Sequence, residues 1–282
     1  MRAHRLTIPI LAATVAMASV AHAQVIPDED DVDANALAAY NALVSTPVAA
    51  FTPSISAREA GLASRSMGFR FQFGHLDEEG DLSRRAIGAG IDFAVGRSTL
   101  GLTAGLLDYS CDEDPIDDPS VEIDIECKST MMFGASMSAP LLTNPVGSAG
   151  STFGLGLDGG IGFSSGEVIE LHYDDGFQTI DAEASAASLA AAVGMPVTLV
   201  VRSPSLTVVP MLRPGIGWGR RAEDGEFNGE SFDATESGTR FMLGGGVGFL
   251  FTNVGLGISV GAQKVFYEDG KTLIGVNLTW GK

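Results

Sequence analysis

"TFGLGLDGGIGF", residues 152–163, places Phe153, Leu155, Leu157, Ile161 and Phe163 on one parity and Gly154, Gly156, Asp158, Gly160 and Gly162 on the other. A period of two is the signature of a strand, whose successive side chains point to opposite faces. One face is large and apolar, and the other is nearly bare. A soluble antiparallel sheet turns Lys, Glu, Thr and Ser toward water on the face away from its core. Glycine in that place asks for a narrow closed sheet, with room inside for small side chains only and an apolar medium outside.

The same opposition recurs on both sides of this stretch. In "GFRFQFGHL" (68–76) Phe69, Phe71 and Phe73 oppose Arg70 and Gln72, and in "RAIGAGIDFAV" (85–95) Ile87, Ile91 and Phe93 oppose Gly88, Gly90 and Asp92. Strands are predicted near 67–76, 84–95, 99–109, 128–139, 151–163, 184–200, 205–219, 238–251, 254–266 and 272–281. The fold class expected is all-β, a transmembrane antiparallel up-and-down β-barrel over residues 66–282 with 10 strands; 8 or 12 would also keep the parity even. Residues 184–201 and 241–263 lack charge and are long enough for helical spans, but their glycines and Pro196 penalise a helix. "GLGLDG" (154–159) matches G-x-G-x-x-G, yet no helix start follows it, so a dinucleotide site is discarded.

The breaks between strands sort the charge. Segments 77–82, 108–127, 165–183, 220–236 and 267–271 hold 27 of the 35 acidic residues, while the alternate connections (96–98, 140–150, 202–205, 252–253) hold none. A sandwich has no reason to gather its acids at one end, whereas a membrane barrel has long outer loops and short inner turns. The formal net charge of −18 argues against nucleic acid as a partner, because phosphate contacts need Lys and Arg.

The first 23 residues have a basic start, an apolar stretch from Leu6 to Val20 and small residues at Ala21 and Ala23, which predicts a secretory signal cleaved after Ala23. Residues 24–65 open on an acidic run and continue into an Ala-rich helical pattern, "NALAAYNALVS". They are expected to form a disordered periplasmic lead with one short helix; the alternative is a small plug folded into the lumen. Cys111 and Cys127 leave the cytoplasm with the chain and are expected to pair as a disulfide, closing an acidic loop.

The cleaved leader, the ten amphipathic strands, the alternation of long and short connections and the last strand "TLIGVNLTWGK" resemble the small single-chain outer-membrane β-barrels of Gram-negative bacteria. The resemblance implies residence in the cell outer membrane, contact with its lipid and lipopolysaccharide, and delivery by the barrel assembly machinery. In that family the final strand usually ends on an aromatic residue; here Gly281 and Lys282 follow Trp280. A monomer is expected.

Few residues carry chemistry. His75 and His172, with Asp174 beside the latter, are the candidates for rim-located general-base work, and the acidic surroundings make the pairing weakly specific. Asp112, Asp114, Asp117 and Asp118 offer carboxylates to loosely bound Ca²⁺ but lack the spacing of a dedicated loop, and no other cofactor is expected. Arg70, Arg213 and Arg240 share the inward parity with Asp92 and Asp158, as a charge network that satisfies the lumen or tunes a pore. The first functional reading is a non-enzymatic barrel whose acidic loops act at the cell surface. The others are a narrow channel or transporter for small solutes, and a rim-located hydrolase or lipid-modifying enzyme.

Overall fold

The computed structural model describes residues 29–49, 51, 67–77, 82–111, 122–146, 150–174, 179–227, 229–267 and 272–280. The described residues form one helix, α1 (Glu29–Val44), and the strands β1 (Met67–Asp77), β2 (Leu82–Val95), β3 (Ser98–Cys111), β4 (Glu122–Cys127), β5 (Ser129–Val146) and β6 (Ser151–Asp174), followed by β7 (Thr179–Gly194), β8 (Val197–Arg202), β9 (Leu206–Phe227), β10 (Glu230–Phe251), β11 (Leu256–Val265) and β12 (Thr272–Trp280).

Every ladder is antiparallel, and the order β1-β2-β3-β5-β6-β7-β9-β10-β11-β12 closes on itself through the pairing of Phe69 with Trp280. The ring has ten members. β8 prolongs β7 past a break at Met195–Pro196, because proline removes a ladder donor. In the same way β4 prolongs β5 beyond Lys128, and both are paired to β6. The two stretches long enough for helical spans are strands: β7 with β8, and β10 with β11.

Exposure alternates where the strands cross the belt, as β12 shows with Leu273 and Asn277 buried between exposed Ile274, Val276 and Leu278. The sense is inverted relative to a water-soluble protein. Phe71 is 63% exposed and Phe241 70% on the outside, while Gln263 and Asn277 are 1% exposed within. A belt of bare aromatic and aliphatic side chains is stable only against hydrocarbon, so the barrel is transmembrane.

The two ends differ. At one, Gly96 and Gly255 take positive φ of 59° and 66° in tight turns that a Cβ would strain. At the other, β6, β9 and β10 run to 24, 22 and 22 residues, about twice the 9–11 that cross a bilayer. The acidic segments expected as loops are therefore largely strand: Glu223, Asp224 and Glu226 of β9 pair with Ala234, Asp233 and Ser231 of β10. Beyond the bilayer both faces of a strand are wet, so its ladder persists without the alternation that marks it in sequence.

Candidate functional site

Of residues 24–65 the structure describes 29–49 and 51, and residues 35–49 and 51 pack against the inward parity of the wall; residues 24–28, 50 and 52–65 are outside the described residues, as is the leader. Small residues make the fit. A Cβ on Gly219 would stand 2.7 Å from the Ala39 carbonyl oxygen and 2.8 Å from Ala42 Cβ, and one on Gly238 would stand 2.6 Å from the Asn35 carbonyl oxygen. Further along the plug, a Cβ on Gly217 would stand 2.6 Å from Leu43, one on Gly162 2.9 Å from Thr46, one on Gly134 3.0 Å from Pro47 and one on Gly88 2.6 Å from Phe51. The bare inward parity is a mould for α1 and the turn after it. Tyr40, Leu43 and Val44 complete a core with Leu76, Ala192, Met242 and Leu273 drawn from the surrounding wall. Burying Leu43 or Val44 contributes about 1.5–3 kcal/mol each.

Polar groups fix the direction of the plug. Asn35 lies against Gly238 and Leu43 against Gly217 beside Met242, so α1 descends with β10 and its amino end faces the acidic mouth. Near the carboxyl end, Arg84 donates from Nη1 to Ser45 Oγ (3.1 Å) and from Nη2 to Asn41 Oδ1 (3.0 Å), with its guanidinium 5.3 Å above the Tyr109 ring. A cation there complements the dipole. Arg240 donates from Nε to the Ala36 carbonyl (3.2 Å) and stacks over Tyr267, which itself stacks on Tyr40. Arg221 bonds Glu223 and reaches Tyr109 from the far wall.

Toward the short turns the plug roofs a cavity of about 140 Å³, with Pro47, Val48 and Phe51 above and the expected lumen charges around it. Arg70 pairs with Asp92 at 3.3 Å and also donates to Thr103, while Arg213 donates from Nε to Asp158 at 2.6 Å. Both pairs need glycine beside them, since a Cβ on Gly101 would lie 2.8 Å from Asp92 and one on Gly194 2.7 Å from Arg213 and Asp158. The structure thus brings four of the five expected residues together as two ion pairs, and sets Arg240 apart on the plug.

His75 and His172 sit on the outward parity of β1 and β6, well apart around the ring. His172 Nδ1 and Asp181 Oδ1 approach to 2.6 Å across the β6–β7 ladder, both groups exposed. Asp174 ends β6, and its side chain is outside the described set, as are Asp112, Asp114, Asp117 and Asp118; the described residues include no group of His, Cys, Asp and Glu suited to a metal. Cys127 begins inside the rim against Phe51's cluster, and the side chain of Cys111, its expected partner, is likewise outside the described set. Lys128 bonds Glu126 and Glu170 at 2.7 and 2.9 Å, and those two hydrogen bonds, the first foremost, hold its ammonium group above the usual lysine range.

Sequence reasoning missed Arg84 and Arg221, which clamp the upper lumen, and Arg220, which stands exposed where the apolar belt ends. Parity could have found Arg220: it continues the outward series Leu212, Ile216, Trp218.

No protein-family model and no curated protein matches the chain. Among solved structures it is similar to the outer membrane protease OmpT from Escherichia coli (9% identity, 77% of this chain and 94% of that chain, TM-score 0.39). It is similar also to the translocator domain of the autotransporter NalP from Neisseria meningitidis (15%, 76% and 86%, 0.32). A third is the N-terminal β-barrel domain of Pseudomonas aeruginosa OprF (10%, 77% and 98%, 0.31). The fold assignment rests on the strand pairing and not on these likenesses.

Proposed function

We propose that the chain is a barrel of the Gram-negative outer membrane whose lumen is closed by its own amino-terminal segment, and whose acidic end serves as a cell-surface face for adhesion, envelope stabilisation or protection. The observation that carries this reading is the glycine mould. A channel keeps its bore clear, whereas here glycines on β2, β5, β6, β9 and β10 are shaped to α1 and the residues after it. The charges below the plug are matched in pairs and so present no net field to a passing ion.

The acidic end carries the rest of the role. Its carboxylates attract Ca²⁺ loosely and bridge through it to lipopolysaccharide phosphates, and a Cys111–Cys127 disulfide ties one of its segments. Planar-bilayer recording tests the closed lumen. The intact protein passes no steady current, and deletion of residues 29–51 opens ohmic steps; steady conductance from the intact protein sinks the reading. Melting that does not change on adding chelator removes the Ca²⁺ bridge from it.

A further inference from the structure

We propose that the outer wall carries a site for a single anionic, phosphate-bearing membrane lipid, with an acyl chain in a groove that crosses β2 to β7 and the phosphate on Arg220. The proposal rests on the membrane-barrel reading.

The groove has a volume of about 740 Å³ and is almost wholly apolar in its lining. It follows one cross-strand row of outward residues, Phe71, Ala89, Ala104, Phe133, Phe163 and Leu189, each paired with the next. Ala89 and Ala104 make the floor, and the phenylalanines make the walls. Such a dip in a lipid-facing wall is filled by hydrocarbon, because nothing else at that depth can cover it without cost. From Ala89 to Leu189 the row crosses four strand spacings of about 4.8 Å, some 19 Å, which is comparable with one leaflet of a hydrocarbon core about 30 Å thick. Because barrel strands tilt, the row climbs from near the short turns toward the acidic edge.

The next residue on the same row is Arg220, paired with Leu189 on one side and Ser237 on the other. It is exposed, and it lies one outward step above Trp218, where the apolar belt ends. Its outward neighbours along and across the ladder are Trp218, Ala222, Leu189 and Ser237, with no carboxylate among them. In a chain that crowds acids onto this end, a bare guanidinium at the head of an apolar groove matches a phosphate in charge and in fork geometry, with the Ser237 hydroxyl as a further donor.

The test uses the full-length barrel in neutral detergent, with native mass spectrometry counting bound phosphatidylglycerol against phosphatidylcholine. The intact protein retains one phosphatidylglycerol in preference to phosphatidylcholine. Arg220→Glu weakens that retention about tenfold or more, the loss expected for one charge-assisted contact. Arg220→Lys keeps most of it, Lys264→Glu, two strands away from Arg220 on β11 and outside the groove, leaves it unchanged, and Ala104→Phe, which fills the groove, lowers it. Equal retention by Arg220→Glu, equal retention of both lipids, or a lipid-free dimer that masks the groove overturns the proposal. A β-type circular dichroism spectrum and heat-modifiable gel migration of each variant report separately on the barrel itself, so failure of the lipid site and failure of the fold reading are distinct.

Discussion

The contact between Leu43 and Gly217 allows the seating of the plug to be tested by exchanging volume across it. Leu43 is fully buried, and truncating it to alanine removes most of its packing, at an expected cost of about 2–5 kcal/mol. Gly217→Ala adds a methyl group 2.6 and 3.1 Å from the two Leu43 methyl carbons and 3.2 Å from Met242 Sδ, and such overpacking costs about 1–3 kcal/mol. In the double variant the added methyl occupies space that the truncation vacates, so the two losses do not add. The coupling expected is about 1–2 kcal/mol in favour of the double variant, within the range for residues in contact. Equilibrium urea unfolding in detergent micelles measures all four corners of the cycle. Gly245→Ala is the control, because its Cβ would meet nothing nearer than 3.5 Å and faces away from the plug. Strict additivity of Leu43→Ala and Gly217→Ala would refute the placement of α1 against β9, whatever the size of the single losses.

Three further outcomes follow from the same geometry. Phe71→Arg, at the centre of the outer belt, destabilises the barrel by about 2–4 kcal/mol in lipid vesicles, whereas the same change on a water-facing surface would be near neutral; urea titration in vesicles distinguishes them. Asp158→Asn leaves the buried Arg213 guanidinium without its counter-charge and costs about 3–5 kcal/mol, while the paired change Asp158→Leu with Arg213→Leu costs markedly less, read by the same unfolding curves. His172→Ala breaks the exposed contact with Asp181 and changes stability by less than about 1 kcal/mol, so a melting curve displaced by many degrees would show that this pair does more than lie on the surface.

Much of the wall was legible because two constraints act on the same residues. Inside the bilayer each strand has one face to hydrocarbon and one to a crowded interior, so Phe153 to Phe163 against Gly154 to Gly162 reads directly as strand and as barrel. That signal ends at the membrane edge. The upper parts of β9 and β10 have charged residues on both faces, and only the ladder reveals them as strand. The plug was harder to see. Ala36, Ala39 and Ala42 spell a weak helix, and nothing local says that glycines more than a hundred residues later are cut to receive it. The lumen ion pairs could be anticipated from parity, but which arginine meets which carboxylate depends on register, which composition does not encode. Arg84 escaped notice because its partners, Asn41 and Ser45, come from the segment whose position was open.

The seam that closes the ring joins the first strand to the last, with Gln72 bonded to Asn277 across 205 residues of sequence. The plug lies upstream of both, yet it ends up encircled. A cylinder fitted this closely to α1, with Arg84 and Arg240 holding it, suits a wall that closes with the helix already in place. Chain order then becomes part of the architecture: the piece that comes first in sequence is the former on which the final strand completes the circle. Variants that loosen α1 should slow the joining of β12 to β1 before they alter any finished barrel.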